Sequence, residues 1–307
     1  MRIGFWTIVA CGFIVGAVAP HTYAWGPATH VGLAATVLDG LALLPAGIAI
    51  LLSRYRQSFL YGNVAADVVF AKRLSRVKQF CHHWSTGFSI LNRAEDDASR
   101  AFAYGYLCHL AADTVAHTKY VPRQVIASAC PVDFGHVYWE IRADTAEPEA
   151  HRRLLRRLLA GDHAHHHQAL AGHLAGAFLP YDLNRLMFNG VNALSARERF
   201  RRRVDRRVRL SRWHLPTDLV QGYRQECVDR IHAVLARGER SVLLREDPNG
   251  TSALMQVKVR RREIRRLRRR GIPTTQRRRE ATRALAPQAM GRYAVGPPAA
   301  PNKFAPA

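Results

Sequence analysis

"NRAEDDASRAFAYGYLCHLAADTVAHTKYV", residues 92–121, decides the fold. Its apolar side chains Phe102, Tyr106, Leu107 and Leu110 recur at helical spacing. Asp96, Asp97 and Ser99 suit an opening turn, where acidic and hydroxyl groups meet free amides and the positive end of the helix. On that helix His109, Asp113 and His117 fall at i, i+4 and i+8, one turn apart along one face. Two imidazoles with a carboxylate between them let one helix serve adjacent divalent cations: the carboxylate bridges, and each histidine takes one ion. A lone buried histidine needs no metal to be satisfied. Three polar groups in register on an apolar face would cost several kcal/mol if left without partners.

Outward from this helix the chain stays helical. Alternating apolar and polar patterns are scarce, and no internal repeat is present. An apolar run over residues 31–52 contains Asp39, Gly40, Pro45 and Gly47, which break it into two buried helical pieces. "RRLLRRLLAGDHAHHHQALAGHLAGAF" divides into two helices near Gly161 and Asp162. Its His163 and His165 to His167 read as a polar loop or helix edge that binds metal weakly. "DLVQGYRQECVDRIHAVLARG" is a further helix, ending near Gly238 with Arg237 in its last turn.

The chain has 307 residues, enough for one sizeable core and an appendage. The first 24 hold Arg2, an apolar run and a small residue at the end, the layout of a secretory signal peptide. Cleavage there makes Trp25 the first residue of a 283-residue mature chain, with a free amine beside His30. Of five cysteines Cys11 leaves with that segment. Cys81, Cys108, Cys130 and Cys227 form no CxxC pair, so their spacings do not suit a thiolate zinc site, while disulfides stay open.

Charge is unevenly spread: residues 1–150 carry a net +1 and residues 151–307 a net +22. A strongly cationic half attracts anionic partners, whether phospholipid headgroups, lipopolysaccharide or nucleic acid. Few aromatics stand among the arginines, which fits phosphate or membrane attraction better than base stacking. "RERFRRRVDRRVRLSRW" is either a membrane-binding face or a solvated one. The proline- and alanine-rich end reads as disordered. The division expected is a signal peptide over 1–24, an all-α multi-helix domain over 25–245, and an arginine-rich, partly disordered extension over 246–307.

Further candidates surround the central motif. His136 and Glu140 lie at i, i+4 in "FGHVYWEIRAD". Asp67 is an isolated acid in "YGNVAADVV", a setting that also suits a turn or cap. His82 and His83 are adjacent in "KQFCHHWSTGF", so only one of them faces a common centre. Nitrogen and carboxylate donors without thiolate suit catalytic zinc, which keeps a position open for water.

Together these residues resemble the zinc-dependent phospholipase C family and its relatives, the single-strand-specific zinc nucleases. The resemblance covers about residues 25–145 and implies an all-α fold and phosphodiester hydrolysis with two or three zinc ions. It implies that Trp25, through its amine and carbonyl, joins His30 and Asp113 at one zinc. Asp67, His83, His109 and Asp113 would hold a second, and His117, His136 and Glu140 a third. The Trp25 to His30 spacing is similar to the nuclease branch. The short Asp113 to His117 spacing and "HHWSTGF" resemble the glycosylphosphatidylinositol phospholipase D branch, where a His-Trp pair supplies a ligand. This favours His83 over His82. Asp67 and Asp113 are the residues expected to act in catalysis. The reading implied is headgroup cleavage of an exported, periplasmic or secreted enzyme on a phospholipid, with the basic half meeting an anionic membrane. The alternatives are a nuclease or nucleotidase of the same fold and a non-catalytic protein that binds membrane or nucleic acid.

Overall fold

The computed structural model describes residues 25–68, 80–173 and 213–288. Between these it describes residues 183, 185–186, 188–190, 192 and 198–211. The expected signal peptide and the proline- and alanine-rich end lie outside the described residues. Among the described residues the chain is helical and holds no strand.

The central element is α5 (Asp97–Val115), with α1 (Pro27–Asp39), α2 (Ala46–Arg54), α3 (Arg56–Ala65) and α4 (Trp84–Asn92) before it. Asp96 caps α5, its carboxylate accepting from the Ser99 amide at 2.7 Å. From Ala101 onward all but Tyr104 are buried, so α5 is enclosed on every side rather than amphipathic. α3 crosses it backbone to backbone. A Cβ added at Gly62 would lie 2.0 Å from the Phe102 carbonyl oxygen, and one at Gly105 2.1 Å from that of Phe59. Only two glycines permit this approach, and it sets the end of α3 beside the middle of α5.

Beyond Val115 the chain widens into a π-turn (Ala116–Tyr120) before α6 (Val121–Ser128). Pro122 has no amide to give the Thr118 carbonyl, which accounts for a widened turn just before it. Then come α7 (Val132–Thr145), α8 (Glu149–Ala160) and α9 (Ala164–His173). The break at Gly161 and Asp162 falls between α8 and α9, as the sequence predicts. After α10 (Glu198–Arg209) runs α11 (Thr217–Arg237), packed along α5 and ended at Gly238 with φ +53°.

The arginine-rich extension is not a bare tail. α12 (Thr251–Arg269) buries Leu254, Val257 and Ile264 on the π-turn and α6, and α13 (Thr275–Arg283) lies on α6 as well. Residues 31–52 separate into α1, which is largely buried, and α2, which, against expectation, is not: only its Leu52 is buried and Ile50 is exposed. No helix of the described residues is long and apolar enough to cross a membrane. Cys81, Cys108, Cys130 and Cys227 are buried free thiols.

Candidate metal centre

Asp113, fully buried on α5, is where the site gathers. His109, one turn earlier, brings Nε2 to 3.2 Å from its Oδ2, and His117 brings Nε2 to 3.8 Å. His30 on α1 approaches the other oxygen at 3.3 Å and stacks on the His109 ring, centroids 3.9 Å apart. His82, from a short turn before α4, places Nε2 3.2 Å from Asp113 Oδ2 and 3.3 Å from Asp67 Oδ1. Asp67 follows the end of α3, where Asn63 offers its carbonyl to His109 Nδ1 at 2.8 Å. That bond directs His109 Nε2 toward the carboxylates.

Two groups of donors lie within 4.8 Å among the described residues: His30, His109 and Asp113, and Asp67, His82 and His109. His117 and His136 sit side by side, ring centroids 5.0 Å apart, and Glu140 lies one turn along α7 from His136. Trp25 is buried, donates Nε1 to the Ala112 carbonyl at 3.3 Å and stacks on Tyr120 at 4.5 Å. The start of α1 is thereby fixed against the turn of α5 that bears Asp113.

One expectation is corrected. His83 is exposed, and His82 is the histidine turned into the cluster. His82 ends a 3-10 turn and His83 is the extended residue before α4, so the pair is not within a regular helix and helical phasing does not apply to it. Sequence reading also passed over Asn63, Asp144, Asn249 and Gly250. Asp144 accepts from the Thr29 amide at 2.8 Å and the Thr29 hydroxyl at 3.1 Å, supplying α1 with the cap its own Gly26 lacks. Its signal was present, since residues 136, 140 and 144 continue one i, i+4 face of α7. Asn249 and Gly250 lie in the turn before α12. Asn249 Nδ2 donates to the His82 carbonyl at 2.9 Å, and a Cβ on Gly250 would meet the His117 Cβ at 2.5 Å.

The electrostatics suit a bound cation. Burial opposes charge on Asp113, but His109, His30 and His82 outweigh it and hold the carboxyl well below its usual range. Burial, with His109 adding, lowers the His30 pKa, and burial with His136 and His82 holds His117 well below its usual range. Both are neutral rings with lone pairs to give. Both ring nitrogens of each, and both Asp113 oxygens, are buried without a well-formed hydrogen bond. Burial and then Asp67, Asp144 and Asp113 push Glu140 well up. Crowded buried carboxylates and imidazoles are the donor set that fits zinc.

A model of the zinc-dependent phospholipase C family matches residues 29–171. Residues 29–171 belong to that family. The matched span holds every candidate donor but Trp25, and it ends within α9. No curated protein and no solved structure gives a significant match. Family and donor set together make this a zinc-dependent domain with phospholipase C-like hydrolase character. The turn of residues 246–250 lies outside the matched span, so part of the enclosure around the zinc-dependent phospholipase C site comes from elsewhere in the chain.

Proposed function

We propose that the chain is a phospholipase C-type phosphodiesterase that cleaves the headgroup from a phospholipid, after export and removal of residues 1–24. The observation that supports this most is the convergence of His30, His82, His109 and His117 on one buried carboxylate, Asp113. We assign Asp113 to bridging, with His30 on one side and Asp67, His82 and His109 on the other. His117, His136 and Glu140 serve a third position. Cleavage before Trp25 frees its amine at the turn of α5 next to Asp113, where the indole is anchored. The chemistry zinc supplies when bound is an acidified water and neutralisation of the phosphoryl oxygens. Asn63 fixes the tautomer of His109. Asp67, beside His82, orients the attacking water and takes its proton. The cationic second half draws the anionic substrate toward the site.

The test is zinc per chain on exported protein whose N-terminus has been read, followed by hydrolysis of phosphatidylcholine and of single-stranded DNA with and without chelator. The expected result is about two or three zinc ions, Trp25 first, and chelator-sensitive release of a phosphorylated headgroup. Cleavage of DNA alone would transfer the reading to a nuclease. A folded, zinc-supplied chain without metal would end the enzymatic reading.

A further inference from the structure

α12 leaves the site directly: it starts after Gly250, which abuts His117, and runs 19 residues, about 28 Å. Its inner face, Leu254, Val257 and Ile264, is buried. Its outer face is the opposite stripe, Met255, Val259, Arg262 and Arg266, flanked by Lys258 and Arg269, and all six are exposed. Met255 is 67% and Val259 60% exposed, one turn apart at the start of the stripe, with Lys258 between them and Arg262 and Arg266 beyond. The helix carries eight Lys and Arg against one Glu, and that Glu263 is bonded to Arg277 at 2.9 Å. The stripe therefore faces outward without an acid to neutralise it.

We propose that this outer face of α12 is a docking surface for an anionic phospholipid bilayer. The choice of bilayer rests on the phospholipid reading of the site, and the chemistry of the face supports it independently. Guanidinium groups pair with phosphate oxygens in a fork. Two apolar side chains among them can enter the boundary between headgroups and acyl chains, while a nucleic acid backbone gives them nothing. Residues 246–288 contain no Phe, Tyr or Trp on which bases would stack. Docking along this face lays the beginning of α12, which covers the buried His117, on the lipid surface from which substrate is taken.

The test uses the zinc-loaded mature chain, vesicles of phosphatidylcholine with and without phosphatidylglycerol, and a DNA duplex. Two variants are compared with the parent: Lys258→Glu/Arg262→Glu/Arg266→Glu, and Met255→Gln/Val259→Gln. The parent is expected to sediment with the anionic vesicles only. The charge variant should bind them about 100-fold more weakly, and the apolar variant about 10-fold more weakly with a steeper dependence on salt. Circular dichroism and zinc content should match the parent, because all five side chains are exposed. Hydrolysis of a dispersed short-chain phosphatidylcholine should be unchanged in both variants, and hydrolysis of the anionic vesicles should fall. Parent that ignores anionic vesicles, or a charge variant that binds them equally well, overturns the proposal. So does a duplex bound more tightly than vesicles with no effect of the apolar variant, which would make the face a nucleic-acid surface. If no protein cleaves the dispersed lipid, the site reading fails while the vesicle binding still decides the surface.

Discussion

At the scale of single residues, the site is built on a buried carboxylate ringed by imidazoles. Neither oxygen of Asp113 has a well-formed hydrogen bond, although four imidazoles face it. A fold leaves such a group in place when a cation completes it. His82 and His83 give a direct comparison, because they are neighbours with opposite environments. His82→Ala should lower zinc affinity by at least the factor of about 10–100 that loss of a supporting partner costs. His83→Ala should leave it unchanged. Zinc titration of both variants checks this, and equal losses would count against the placement of His82. The helical motif of His109, Asp113 and His117 was legible because helical geometry alone sets its spacing. The choice between His82 and His83 was not, because a short turn has no periodicity to read.

At the scale of elements, helix ends explain how distant segments hold the donors. α1 begins at Pro27 with no side-chain cap of its own, and Asp144 reaches it from α7. Asp144→Ala removes two hydrogen bonds from the first turn, next to His30. The expected loss is about 0.5–2 kcal/mol, a fall in Tm of about 2–4 °C for each kcal/mol, measured by thermal unfolding. α9 is held differently. His166 bonds the Ser58 hydroxyl at 3.0 Å and stacks on Phe102 at 4.6 Å, and His167 bonds the Tyr61 hydroxyl at 2.9 Å. Burial, then His165 and His163, holds His166 down at about 4 against 6.5 for a free imidazole. Above that free value both folded and unfolded chains carry a neutral ring. As pH falls toward 4, the unfolded chain takes a proton that the folded one refuses, so stability is lost across this window. His166→Phe keeps the stacking and removes the titration. Its Tm should fall less than that of the parent from about pH 7 to about pH 5. An equal fall in both would mean that His166 does not contribute.

At the scale of the whole molecule, charge divides the chain in two and packing rejoins it. α8, α9 and α11 were legible from their apolar spacing, and so was the end at Gly238, whereas α12 and α13 were not, because their arginine-rich sequence reads as a tail. Their closure onto the site was not, because it depends on contacts between residues far apart in sequence, such as Asn249 with His82. Buried Arg230 strengthens the closure. It bonds Thr114, next to Asp113, at 2.7 Å, Glu226 at 2.9 Å, and Glu246 at the head of the closing turn. Gly250 and Gly271 separate closure from backbone strain. Both have positive φ, +59° and +73°, so Val at either should cost about 1–3 kcal/mol. A side chain at Gly271 meets nothing within 4 Å, whereas one at Gly250 drives into His117. Both variants should therefore be less stable by urea unfolding. Only Gly250→Val should also lose zinc, because it alone displaces a donor. Equal zinc retention would show that the turn of residues 246–250 merely covers the site. Selective loss would make the second half part of the metal centre.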